Sequence, residues 1–180
     1  NLSMSDHIII QITHGYFRKR KHKHVPKELG AWFGGHVMIQ IENHYYGFIY
    51  QDIKKIHIFP ARQKNSTYQK MSIKEWNEFA TNKKRTAITI PCSAEEKQIL
   101  LDYYNKNLKS PSCDYSFFGE RCASSCYHLL KKIDKIKGGH YFFNAFYPRQ
   151  LRKKLIKEAQ EKAYSISITP GPKDRIWEGG

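Results

Sequence analysis

His36, in Gly34-Gly35-His36-Val37-Met38-Ile39, and Cys122, in Phe118-Gly119-Glu120-Arg121-Cys122-Ala123, are the residues whose types and settings most invite chemistry. A histidine introduced by two glycines at the start of a β-strand is a proton acceptor on a rigid element. A cysteine at the start of an amphipathic helix is a thiol placed where the helix dipole and unpaired N–H groups favour its anion. Brought together, the two are the general base and nucleophile of a covalent thiol mechanism. A free cysteine, with a pKa of ~8.5, is only about 3% thiolate at neutral pH, so the helix start, the adjacent Arg121 and an imidazolium have work to do. His36 would take the thiol proton and return it to the leaving group. The Cys122 amide, at the helix start, is the expected donor to the oxyanion.

Strand pairing suggests a third member. With the turn of a hairpin at Asn43-His44, where Asn tolerates positive φ, His36 faces Gln51 across the two strands. A turn at Glu42-Asn43 leaves Gln51 a diagonal neighbour on the same face, so Gln51 is the expected partner of the imidazole in either register. By periodicity alone Cys126, one turn beyond Cys122, is equally eligible as the thiol; helix polarity favours Cys122. His44 reads as a turn residue, His57 as strand surface, His128 as a residue on another helix face, and Tyr115 as packing near the start of the helix.

The elements that must position these groups are legible as patterns. His7 to Ile12 reads as a buried strand, His36 to Ile41 and Tyr45 to Tyr50 as a hairpin, Lys55 to Phe59 as a strand stopped by Pro60, and Arg85 to Ile90 as a strand stopped by Pro91. Two capping boxes, Ser72 with Glu75 and Ser93 with Glu96, open helices carrying Trp76 and Phe79, and Ile99, Leu100, Tyr103 and Tyr104. A further helix runs from about Cys122 through Leu129, Leu130 and Ile133 toward Gly138-Gly139. Pro148 starts a basic helix with Leu151, Leu155, Ile156 and Ala159 on its apolar side. Tyr164 to Ile168 alternates like an edge strand. The stretch Arg18 to His24 reads as a solvated basic loop, with an anion-contact patch beside the site as its functional reading.

The 180 residues suit one domain spanning 1–180, with no internal repeat. The net charge of +15, from 31 Lys and Arg against 16 Asp and Glu, predicts attraction to polyanions: nucleic acid, anionic lipid headgroups, or cell-wall polymers. Nucleic acid is the least favoured of these, because the 12 Tyr and 10 Phe sit in strand and helix patterns and are not interleaved with glycine and basic residues. No stretch reaches the ~18 to 20 apolar residues of a membrane span, although proximity to a membrane surface is compatible with the charge. The spacing of the four cysteines, Cys92, Cys113, Cys122 and Cys126, matches no zinc pattern, and the chemistry requires no cofactor or metal.

Two stretches together, Phe33-Gly34-Gly35-His36-Val37-Met38-Ile39-Gln40-Ile41 and Tyr115-Ser116-Phe117-Phe118-Gly119-Glu120-Arg121-Cys122-Ala123-Ser124, resemble the circularly permuted NlpC-like branch of the papain-like cysteine hydrolases, whose relatives include lecithin-retinol acyltransferases. Histidine precedes cysteine here, the reverse of papain. The resemblance covers about Ile8 to Ile133 and implies an α+β papain-like fold, an antiparallel sheet packed against helices, with Cys122 as nucleophile and His36 as base. It departs from the family pattern at Arg121, where Asn is common, and in a longer basic loop before His36. It implies a thiol hydrolase, bacterial, exported and monomeric, cleaving amide bonds in peptidoglycan peptides or another anionic envelope substrate. A thiol acyltransferase or lipid amidase on the same residues is one rival, and a ligand-binding module with an inert thiol is another.

Overall fold

The alternation Ile8, Ile10, Ile12 in the first strand, with Gln11 and Thr13 between, commits the chain to a sheet covered on both sides, since every one of these residues is buried. The structure, a computed structural model, describes residues 6–15 and 35–173. The basic stretch Arg18 to His24 lies outside them. β1 (His7–His14), β2 (Gly35–Ile41), β3 (His44–Ile49), β4 (Thr67–Ser72), β5 (Arg85–Pro91) and β6 (Ser165–Thr169) form a six-stranded sheet in the order β4-β3-β2-β1-β5-β6. All five pairings are antiparallel.

One face carries Ile8, Ile10, Ile12, Val37, Ile39, Ile41, Tyr46, Phe48, Ile88 and Ile90. Against it lie α2 (Ala94–Lys109), α3 (Cys122–Lys132) and α5 (Pro148–Glu161), contributing Leu100, Tyr104, Ala123, Tyr127, Leu130, Leu151 and Leu155 to the same core. Tyr104 stacks on Tyr46 at 4.9 Å between centroids, an arrangement that adds about 1 kcal/mol to the burial of the two rings. The other face packs Met38 and Tyr45 against Trp76 and Ala80 of α1 (Ile73–Ala80), with Tyr45 and Trp76 stacked at 4.9 Å. Both capping boxes form as the sequence indicates, Ser72 with Glu75 and Ser93 with Glu96. α4 (Tyr141–Asn144), a single turn before α5, was not anticipated.

Three local expectations change. The hairpin turns at Glu42-Asn43, since Ile41 pairs with His44 and Met38 with Gly47. Glu42 itself takes the positive φ of 52°, and its carboxylate ion-pairs at 2.6 Å with Lys97, an almost fully buried lysine of α2. Asn43 sits in the turn in either register, and the Glu42–Lys97 pair accompanies the earlier one. The segment Lys55 to Phe59 is not a strand of the sheet: it leaves a 3-10 turn at Ile53–Lys55 and runs beside the Ser116–Phe118 loop, with one isolated bridge, His57 to Ser116, and the Phe117 and Phe118 amides donating to the His57 and Ile58 carbonyls. Its alternation is real but faces solvent, with Ile58 and Phe59 both more than half exposed. The third strand of the meander is β4, directly preceding the capping box at Ser72. The expected α+β architecture, an antiparallel sheet packed against helices, is the one observed.

Gly35, which leads into His36, has φ of +107°, and a Cβ built there would meet the Thr13 carbonyl oxygen at 2.5 Å. Backbone cannot yield as a flexible side chain does. Gly35→Ala is expected to cost about 2 kcal/mol or more in chemical denaturation. Gly139→Ala, where nothing lies within 4 Å, is expected to change stability by less than about 1 kcal/mol.

Candidate functional site

The pairing of β2 with β3 ends at Met38 and Gly47, so His36 and Val37 lie beyond its last rung. On the other side they remain held by β1, through the Thr13–His36 and Ile12–Val37 pairs and the hydrogen bond from the His36 amide to Thr13 Oγ1 at 2.8 Å. The sheet is therefore firm along one edge of His36 and open along the other.

Cys122 docks into that opening. It is the first residue of α3, packed on β2 and β3, and the backbone N–H groups of Val37 and Ala123 both donate to its sulfur. The Val37 amide follows His36 directly in the chain, so thiol and histidine reach the same point of β2. They arrive from opposite sides: Val37 belongs to the core face with α3, whereas His36 shares its side of the strand with Met38 and sets its ring edge-on to Phe79 of α1 at 6.3 Å. Both side chains are buried, His36 at 2% and Cys122 at 5% exposure. Cys126, one turn on, sits in the core, and burial pushes its thiol far up.

The imidazole is oriented by Gln69. Its Nε2 lies 2.8 Å from Gln69 Oε1; an amide oxygen only accepts, so this contact favours the tautomer with the proton on Nε2, in which Nδ1 is the basic nitrogen. Gly47, opposite Gln69 in the β3–β4 register, leaves room for this contact: a Cβ there would meet Met38 Sδ at 2.2 Å and Gln69 Oε1 at 3.1 Å. Gln51, the sequence-based choice, is exposed and lies past the end of β3, where its amide donates to the Asn65 carbonyl. It lines a separate groove with Lys55, His57, Lys64 and Asn65. Gln51 misses His36 because β3 stops pairing with β2 at Gly47, before it reaches Gln51; the earlier turn alone would have left it a diagonal neighbour.

Tyr115 is the second residue that sequence reasoning passed over. It is 2% exposed, packs against Phe48 and Tyr50, and its hydroxyl contacts both the amide and the sulfur of Cys122. Burial lifts its pKa well above the ordinary phenol value, so the hydroxyl stays protonated. The Cys122 amide expected to serve an oxyanion is thus already shared with Tyr115. Its position in an aromatic run approaching the helix was the available signal.

Burial also pushes the Cys122 thiol above its ordinary pKa; the Arg121 charge, the Val37 and Ala123 N–H groups and the Tyr115 hydroxyl oppose this without overcoming it. The resting group is a neutral thiol, not the preformed thiolate expected from helix polarity, and its proton must leave as it attacks. All four cysteines are free. Among the described residues no group of three or more His, Cys, Asp and Glu could hold a metal ion, and no helix is long and apolar enough to cross a membrane.

No protein-family model matches the chain, and neither does any curated protein. Among solved structures, it is similar to the crystal structure of a type VI secretion system effector, TseH, with a TM-score of 0.55 and 9% sequence identity over 92% of this chain and 98% of that one. At such low identity the likeness concerns the fold.

Gln69→Leu, which keeps the bulk and removes the acceptor, is expected to slow iodoacetamide alkylation of Cys122 at pH 7 by on the order of tenfold or more. Alkylation is followed by mass spectrometry of the Cys122 peptide. Because burial holds the thiol protonated, reactivity in that variant returns only as pH rises above the ordinary thiol range of ~8.5. Gln51→Leu is expected to leave the profile unchanged, and the reverse pattern would restore Gln51 to the role.

Proposed function

We propose that this chain is a cysteine hydrolase that cleaves amide bonds, with Cys122 as nucleophile and His36 as general base. The observation that carries the reading is that a helix-start thiol and a Gln69-bound imidazole are anchored at adjacent residues of β2, the thiol by the Val37 amide on the core side and the ring of His36 on the other side of the strand. In the forward step Cys122 Sγ attacks the amide carbon while its proton passes to His36 Nδ1. As charge develops, the Tyr115 hydroxyl exchanges its contact with the Cys122 sulfur and amide for the oxyanion, freeing the amide to donate to it as well. Collapse expels the amine, which takes the proton back from His36 and leaves a thioester. Water, deprotonated by the same nitrogen, then releases the acid and the thiol.

Peptidoglycan peptides are the substrate this reading favours. The charge of +15 suits an anionic wall polymer, and the structural neighbour is by its name a secretion system effector, which supports export of a protein of this fold. The order of histidine before cysteine supports the permuted NlpC-like branch. No cofactor enters the scheme. A second reading, acyl transfer or hydrolysis on a lipid, draws support from a run of apolar rings near the start of α3. Phe59 stacks on Phe118, Phe118 neighbours Phe146, and Phe142 with Phe143 continues the run, Phe143 being 75% exposed.

Purified peptidoglycan incubated with the protein is expected to release new amine termini, detectable by amine labelling and mass spectrometry. Cys122→Ala is expected to reduce the rate by at least about a thousandfold, as loss of a covalent nucleophile does elsewhere. Retained activity, or activity lost with Cys126→Ala instead, would overturn the assignment. Turnover of phospholipid or acyl amide vesicles with none on peptidoglycan would select the lipid reading.

A further inference from the structure

Arg121, the residue before the proposed nucleophile, is a buried cation with no carboxylate partner among the described residues. It is the N-cap of α3 and only 6% exposed, yet its Nε and Nη2 are both shut off from solvent and neither has a hydrogen-bond partner among the described residues. Burial pulls its pKa down from the usual guanidinium value. The group is nonetheless a cation at any physiological pH, and an unpaired buried charge costs several kcal/mol.

What holds it is aromatic. The guanidinium carbon lies 4.1 Å from the Phe146 ring centroid and 5.2 Å from that of Phe117. Stacking of this kind satisfies the face of the cation and leaves its N–H edges unused. Those edges match the two oxygens of a carboxylate, which a guanidinium binds through paired hydrogen bonds. Ser125 lies one helical turn from Arg121, its amide donating to the Arg121 carbonyl at 2.8 Å, and the Ser125 hydroxyl is likewise buried and unpartnered. Two buried polar side chains without hydrogen-bond partners thus belong to the first turn of the same 11-residue helix, at its positive end. The charge of Arg121 is felt at the Cys122 sulfur.

We propose that Arg121, with Ser125, is a specificity site for a carboxylate that the substrate carries beside the bond attacked by Cys122. This rests on the reading of Cys122 as nucleophile. It narrows the substrate class to peptides bearing a free carboxylate next to the scissile amide, and it gives a reason for an arginine where the resembling family commonly has Asn. The binding energy of the substrate offsets a cost that the free protein carries.

Two alkylating reagents of nearly equal size, iodoacetate and iodoacetamide, differ by the charge the site would recognise. The ratio of their rates at Cys122, read by mass spectrometry and normalised to the same ratio in the denatured chain, is expected to favour iodoacetate by about tenfold in the wild type, roughly one charge-assisted hydrogen bond. Arg121→Met is expected to bring the normalised ratio to about one and to melt no lower than the wild type, because it removes an unpaired buried charge. Arg121→Lys, with charge but no fork, is expected to fall between. A wild-type ratio near one overturns the proposal. So does an iodoacetate preference that survives in Arg121→Met, which would assign it to the His36 ring. A lower melting temperature in that variant with the ratio unchanged overturns it too, by making Arg121 a structural cation. If neither reagent labels wild-type Cys122, the nucleophile reading fails separately. The carboxylate site is then decided by titrating acetate against the Arg121 Nε–H resonance, where a saturable shift supports it and no shift overturns it.

Discussion

The contact between the Val37 amide and the Cys122 sulfur is the joint on which the rest of the arrangement depends. It exists because β2 and β3 stop pairing at Met38 and Gly47 while β2 stays paired with β1 through Gly35. An amide that would otherwise continue the ladder is turned to a thiol. The same break gives the imidazole its latitude: His36 is fixed at the backbone by Thr13 and at the ring by Gln69, two strands away. Shifting any one of these contacts moves the thiol and the imidazole relative to each other.

Burial sets the electrostatic character of this site. It raises the Cys122 thiol and the Tyr115 phenol and lowers the Arg121 guanidinium, so all three groups are pushed toward their neutral forms. A low-dielectric site of this kind strengthens whatever charge appears during reaction, which is where preorganised donors contribute most. The cost in the resting protein is a neutral thiol and a guanidinium with no carboxylate partner among the described residues.

Much of the fold was legible in the chain, and the misses have physical causes. β1, the β2–β3 hairpin, β5, α2, α3, α5 and the edge strand β6 follow from apolar periodicity, proline stops and two capping boxes, all local signals. β4 escaped because Thr67 to Met71 runs straight into the capping box at Ser72, so the helix signal overshadowed the strand. Lys55 to Phe59 has strand-like alternation but no partner in the sheet; Asp114 accepts from the His57 ring and from the Ala61 and Asn65 amides, and it shapes that segment as a loop. The residues His36 and Cys122 could be chosen from their settings. Gln69 could not, because its proximity to His36 is a property of strand order, with 33 residues between them in the chain. Tyr115 was visible only as an aromatic until the helix start gave its hydroxyl a partner.

The central claim is that His36 and Cys122 are coupled across the open rung, with Nε2 of the ring held by Gln69 and Nδ1 serving the thiol. Long-range nitrogen–proton NMR of the histidine rings tests this most directly, by reading both the tautomer and the titration of His36. The expected result is an Nε2-protonated ring at neutral pH whose midpoint moves by about half a unit or more in Cys122→Ala, since removing an interacting group shifts its partner's titration. An Nδ1-protonated ring, or a midpoint indifferent to the loss of the Cys122 thiol, would contradict it.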